Sequence, residues 1–201
     1  MYFEPSLTNP KERLLCRTEN FVPFSPNLAS TLNGKLLDVC SDLFGSEAVL
    51  FKEKINFKLP GGDGFKPHQD VAAGWDAYKQ SIHISALICV DPANEENGAL
   101  EVVRNEQRHG VIMMWKPIPD DVCDRMKWEL IETQPGDIVL FDSFVPHRSG
   151  PNNSNKSRRA MYATYAMQKE GDFREQYFKE KRANFPPDIE REEGKVYEYK
   201  I

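Results

Sequence analysis

Apolar residues recur at helical spacing through Leu28, Leu32, Leu36, Val39, Cys40 and Leu43. With Ser25 as N-cap, Pro26 at the first helical position and Gly45 as a stop, the pattern predicts one amphipathic helix. After Gly45 the apolar period changes to two. Residues 48–59 read as a long strand closed by the turn Pro60-Gly61-Gly62-Asp63-Gly64. Further strands are predicted over 81–90, 99–104, 111–115, 128–133, 137–143 and 159–168, punctuated by Asp91-Pro92, Glu96-Asn97-Gly98 and Gln134-Pro135-Gly136-Asp137. A run of strands after one helix predicts a mainly β domain, either a sandwich or a barrel.

The flanks carry weaker patterns. Pro5, Pro10, Pro23 and scattered charges make 1–24 an extended arm with at most one short helix around Pro10 to Cys16. A charged helical stretch at 173–182 runs into Phe185-Pro186-Pro187, so 169–201 reads as a helical tail. Without repeats or a second core, 1–201 is expected to form a single domain, and 40% hydrophobic residues suffice to fill it.

Charge and cysteine usage narrow the class of partner. A net charge of −5 argues against a generally electropositive nucleic-acid surface and points to a small-molecule substrate. Cys16, Cys40, Cys89 and Cys123 form no CxxC pair, which fits neither a zinc knuckle nor a dense disulfide framework and suggests a reducing, cytoplasmic setting. The first residues lack a basic stretch followed by an apolar run, and no segment approaches the ~20 apolar residues of a membrane span. No membrane partner is expected.

The sharpest chemical feature is His68-Gln69-Asp70, just after the glycine-rich turn. In an extended segment, side chains two apart project to the same side, so the imidazole and the carboxylate can reach one ion. That donor pair suits Fe(II), and a second histidine would complete one face of an octahedron with three positions open. Alone, the tripeptide is a weak signal. Downstream, Pro135-Gly136-Asp137 launches an apolar strand that delivers His147 at its end, and Arg158 follows eleven residues later.

This ordered set resembles the phytanoyl-CoA dioxygenase family, which combines the His-x-Asp motif, a Gly-Ala-Leu strand (here Gly98-Ala99-Leu100), the Pro-Gly-Asp strand with its histidine, and the later arginine. The resemblance runs from about Phe51 to Met167. It implies a double-stranded β-helix, the jelly roll or cupin barrel, with flanking helices and a metal near one mouth. It further implies Fe(II) held by His68, Asp70 and His147, with 2-oxoglutarate and dioxygen as cosubstrates. Arg158 would pair with the distal carboxylate of 2-oxoglutarate, because the guanidinium fork matches a carboxylate bidentately, and Ser149 would add a hydrogen bond. Arg159 would face the other way along the strand. Related halogenases replace the carboxylate ligand with a small residue, so an intact Asp70 implies hydroxylation. Family members carry a further helix and strand ahead of this region, which implies either a barrel shortened on its N-terminal side, with a sheet edge lost, or a first strand that has been replaced.

For the substrate, the run Lys52-Glu53-Lys54-Ile55-Asn56-Phe57-Lys58 puts three lysines and an asparagine on one strand face and apolar residues on the other. Either face can be the outer one, and lysines also protect exposed edges. The segments KEKINFKLPGG, FKPHQD and YFKEKRANFPPDIER are similar to the branch of the family that hydroxylates 2-aminoethylphosphonate. That similarity implies a phosphonate dianion held by Lys54 and Asn56 with Arg159 or Arg148, and Trp75 either closing the mouth or packing. His83 and Ser85 share a strand face that lines the cavity or is simply satisfied, and His109 is read as a loop residue. Two other readings stand beside this one: hydroxylation of an acyl thioester or amino-acid derivative, and a catalytically silent cupin-like metal-binding module.

Overall fold

The computed structural model describes residues 1–104 and 110–197, so His109 lies outside the described residues. Two antiparallel sheets face each other as a jelly roll. The larger has six strands in the order β1 (Tyr2–Pro5), β2 (Arg13–Glu19), β3 (Ala48–Lys58), β10 (Arg158–Met167), β5 (His83–Cys89) and β8 (Ile138–Asp142). The smaller has four, in the order β4 (Phe65–His68), β9 (His147–Ser149), β6 (Leu100–Val103) and β7 (Trp128–Ile131). Among the described residues no helix is long and apolar enough to cross a membrane.

Alternation along β10 divides the core in two. Met161, Ala163 and Tyr165 point outward and are covered by helices α1 (Pro26–Leu32) and α2 (Lys35–Phe44), whose Leu32, Leu36 and Cys40 pack against them. The Tyr165 hydroxyl donates to the Leu32 carbonyl at 2.8 Å, so its buried polar atom is satisfied. Ala160 points inward and joins Leu87, Cys89, Leu100, Val102 and Phe141 between the sheets. A third cluster, Phe51, Trp75, Tyr78 and Ala166, closes one end with Phe173 and Tyr177 packed on it.

Four expectations are corrected or sharpened. The single helix is two, because the chain breaks at Asn33-Gly34; a Cβ on Gly34 would stand 2.6 Å from the Ser30 carbonyl oxygen. The N-terminal arm is extended, as expected, and without the one short helix allowed around Pro10 to Cys16; its two strands form the hairpin β1–β2, and Arg17, Thr18 and Glu19 pair with Asn56, Ile55 and Lys54 of β3. Of the two alternatives for this end, the replaced strand is the one that fits: β2 covers the edge of β3. Residues 111–115 are not a strand but an irregular segment, held by backbone N–H donation from Ile112 to Gln69 and from Trp115 to Ala72. A short helix, α3 (Asp120–Cys123), follows that segment.

Helix α4 (Arg174–Asn184) has little apolar periodicity and is attached by Tyr177, packed on Phe51, and by ion pairs. Arg174 forks onto Glu53, whose side chain is fully buried on the outer side of β3, and Lys181 pairs with Glu19. Removing one partner leaves the other charge buried and uncompensated, at a cost of roughly 3 kcal/mol or more. Arg174→Met is expected to lower the unfolding free energy by about that amount, read from urea denaturation. The double variant with Glu53→Gln should recover part of the loss.

Candidate active site

The two histidines meet because of strand register. His68 ends β4 and His147 begins β9, and they are direct cross-strand partners with ring centroids 4.2 Å apart. Each ring is oriented from behind. Nδ1 of His68 lies 2.6 Å from the Lys66 carbonyl oxygen and Nδ1 of His147 lies 2.9 Å from that of Val145. These contacts fix the tautomer with the proton on Nδ1 and leave Nε2 of each ring as a lone-pair donor.

Asp70 opens a short 3-10 turn (Asp70–Ala73) anchored where the Val71 N–H donates to the Ser143 carbonyl. Its Oδ1 stands 4.0 Å from His147 Nε2, and the donor atoms of His68, Asp70 and His147 all lie within 4.8 Å of one another. This donor set fits one divalent ion: two neutral imidazole nitrogens and one carboxylate oxygen converge, with the reverse side of each ligand already hydrogen-bonded.

Local electrostatics favour that state. Burial pushes the His68 imidazole down to about 3, with His147 acting in the same direction and Asp70 against it. Burial also lowers His147. For Asp70, burial works upward, but Lys52, His147 and Lys54 outweigh it and hold the carboxyl below its ordinary range.

The lysine face of β3 is the inner face. Lys52 and Lys54 line a cavity of about 250 Å³ together with His68, Asp70, Trp75 and Trp115. Lys52 sits 3.9 Å over the Trp75 ring, and Lys54 lies between the rings of Phe65 and Tyr162. Trp75 is itself buried and edge-on to Phe51, so it both packs and walls the cavity. Asn56 is on the same face and buried, but it is not among the cavity-lining residues, and its Oδ1 has no hydrogen-bond partner.

Of the two adjacent arginines, Arg158 points inward and is 4% exposed, whereas the Arg159 side chain is 49% exposed and forks onto Asp91. Arg159 as a substrate contact is therefore corrected: strand alternation carries it outside. Arg148 is corrected as well, since it pairs with Glu101 and lies over the Trp128 ring. Arg158 donates to the Gly98 carbonyl, while its Nε is buried without a partner. Beside it, Lys58 donates to Ser149 Oγ at 2.8 Å and to the carbonyls of Gly98 and Gly150. Burial and the Arg158 charge push the Lys58 ammonium down to about 7. Ser149 Oγ accepts from Lys58 and from the Phe65 N–H, which leaves its own proton to donate elsewhere.

Several neighbours carried no signal of their own in the sequence. Gln69, the middle residue of the motif, is buried and donates to the carbonyls of Gly110 and Phe144 while accepting from Ile112 N–H, tying the 110–115 segment over the mouth. Trp115 adopts φ 64° and abuts Gly74 with the tip of its indole, where a Cβ would meet the ring at 1.7 Å. Tyr177 and Glu180 of α4 complete the rim, with the Tyr78 hydroxyl donating to Glu180 at 2.7 Å. His83 is a packed residue, bonded to Gln80 and held against Phe51 and Trp75.

Two histidines and a carboxylate at the mouth of a jelly roll, with a buried arginine on the central strand, define the class of non-haem iron, 2-oxoglutarate-dependent oxygenases. The chain belongs to the phytanoyl-CoA dioxygenase family, whose model matches residues 11–160. It is 46% identical to the 2-aminoethylphosphonate dioxygenase of uncultured bacterium HF130_AEPn_1, over 98% of this chain and 75% of that protein. It is 39% identical to the methylphosphonate hydroxylase of Gimesia maris, over 84% of this chain and 65% of that protein. The fold matches the crystal structure of EctD from S. alaskensis with 2-oxoglutarate and 5-hydroxyectoine, with TM-score 0.71 and 20% identity over 80% of this chain and 59% of that one.

The lowered histidines predict how the site titrates. Both rings are neutral at pH 7, so calorimetric titration of Mn(II) in buffers of different ionisation enthalpy should release fewer than about 0.3 protons per ion. Release near one proton would mean that a ligand histidine is held protonated. In the metal-free protein, the unfolded chain protonates His68 near its ordinary 6.5 while the folded chain resists until about 3. Stability from this group is complete above pH 6.5 and declines as pH falls towards 3. Urea midpoints at pH 7 and pH 5 should drop accordingly, and drop less in His68→Gln.

Proposed function

We propose that this dioxygenase hydroxylates the carbon beside phosphorus in a small aminoalkylphosphonate, with His68, Asp70 and His147 holding Fe(II) and Arg158 and Ser149 receiving 2-oxoglutarate. The observation that carries the substrate reading is the pair Lys52 and Lys54, turned into the cavity beside the metal ligands. Among the described residues no carboxylate pairs with Lys54, so its charge is available to a dianion. Glu180 of α4 also lines the cavity, beside Lys181, and supplies a carboxylate for the ammonium of an aminoalkyl substrate. The two relatives named for phosphonates support the same chemistry.

Bound Fe(II) with 2-oxoglutarate and dioxygen supplies C–H hydroxylation, releasing succinate and CO₂. The protein's part is positioning. The unpartnered Nε of Arg158 and the free donor of Ser149 suit the distal carboxylate of the cosubstrate, with Lys58 adding a second cation alongside. Lys54 orients the phosphonate so that the adjacent carbon faces the metal, while Phe65, Trp75 and Trp115 keep bulk water from the cavity. Residues 1–201 act as one catalytic domain, since β2, itself paired with β1, joins β3 from one end and α4 buttresses β3 from the other. Four free cysteines are in keeping with a cytoplasmic setting.

The test is a comparison of 2-aminoethylphosphonate, methylphosphonate and β-alanine as substrates, scoring hydroxylated product against succinate. Product from the phosphonates and none from the carboxylate analogue is expected. Lys54→Ala should raise KM for phosphonates about 30-fold while leaving 2-oxoglutarate affinity unchanged. Glu180→Gln should weaken 2-aminoethylphosphonate and leave methylphosphonate unaffected. Equal turnover of β-alanine, or an unchanged KM in Lys54→Ala, would refute the phosphonate reading.

A further inference from the structure

How many positions stay open at the metal depends on the second oxygen of Asp70. Oδ1 faces His147 Nε2, whereas Oδ2 accepts a hydrogen bond from Ser85 Oγ at 3.0 Å. Ser85 Oγ also lies 3.1 Å from Thr164 Oγ1. The two hydroxyl residues are direct partners across the β5–β10 ladder, and they are 1% and 2% exposed. A hydroxyl has one proton. Since that of Ser85 is directed at a carboxylate, which only accepts, Thr164 is the donor in the second bond, and the order runs Thr164 to Ser85 to Asp70.

Because Thr164 donates to Ser85, the Ser85 proton is the one left over in the pair, and the bond to Asp70 Oδ2 is where it is placed. It engages the oxygen that would otherwise be free to bind the ion as a second ligand. A carboxylate bound through one oxygen leaves three positions for a chelating cosubstrate and dioxygen; one bound through both leaves two. We propose that Ser85, oriented by Thr164, is a positioning residue that holds Asp70 to one-oxygen coordination. This rests on the reading of His68, Asp70 and His147 as the iron site.

The test uses the full chain loaded with Co(II), in wild type, Ser85→Ala and the isosteric Thr164→Val. Three quantities are read: Co(II) affinity, the visible Co(II) spectrum, and 2-oxoglutarate affinity of the Co(II) form. Ser85→Ala is expected to keep its Co(II) affinity, to change the spectrum before cosubstrate is added, and to bind 2-oxoglutarate about tenfold more weakly. Thr164→Val should move the same way by about threefold, and it carries the test if Ser85→Ala does not fold. A general structural defect would weaken metal and cosubstrate together. Unchanged 2-oxoglutarate affinity in both variants, or parallel loss of metal and cosubstrate, would overturn the proposal. Failure of the wild type to bind Co(II) would instead overturn the iron-site reading, and this inference with it.

Discussion

A central strand in an antiparallel sheet satisfies two ladders at once, and the register of β10 between β3 and β5 is the constraint on which the site depends. That register sets Arg158 opposite Lys58, Tyr162 opposite both Lys54 and Leu87, and Thr164 opposite both Lys52 and Ser85. Because side chains alternate, a slip by one residue would send Arg158 to the solvent and bring Arg159 and the outward Tyr165 inside. The apolar clusters on either side of the strand resist such a slip, since Met161, Ala163 and Tyr165 would leave their seats against α1 and α2. Packing on the outside thus determines which polar groups stand on the inside.

The inner wall so defined is unusual for a barrel core in being cationic. Lys52, Asn56, Lys58 and Arg158 are all buried, and Lys54 is half-buried. Desolvated charge is tolerated only when paired or hydrogen-bonded. Lys58 uses the carbonyls of Gly98 and Gly150, Lys52 lies over Trp75, and the lysines of the cavity hold Asp70 ionised. What remains is a site short of negative charge, which anionic ligands complete. On the proposed reading there are two of them: the cosubstrate dicarboxylate at the Arg158 end and the phosphonate at the Lys54 end.

The parts of this arrangement differ in how far the sequence reveals them. The triad is legible because His68-Gln69-Asp70 and the strand ending in His147 are local patterns in a fixed order, and the family resemblance favours Arg158 over Arg159 by its distance from His147. The lysine run was half legible. Period two places Lys52, Lys54, Asn56 and Lys58 on one face but says nothing of which face is inner. Nor does it reveal that Glu53, on the other face, is buried as well because Arg174 of a distant helix meets it. Residues 111–115 are apolar without being a strand because the backbone is held by Gln69 and turns through a left-handed Trp115, whose indole lines the cavity. The roles of Gln69, Ser85 and Glu180 come from contacts 15 to 102 residues away in sequence, which no local pattern encodes.

The central claim is that a metal and 2-oxoglutarate share one pocket, with the metal on the triad and the cosubstrate on Arg158. Anaerobic addition of Fe(II) and then 2-oxoglutarate, followed by visible absorption, tests it most directly. The wild type should develop the weak charge-transfer band of the iron–oxoacid chelate, saturating at one equivalent of each. Arg158→Ala, with its triad intact, should bind Fe(II) but need far more 2-oxoglutarate to reach the same band. A wild-type protein that binds Fe(II) and never develops the band, or an Arg158→Ala variant indistinguishable from it, would contradict the account.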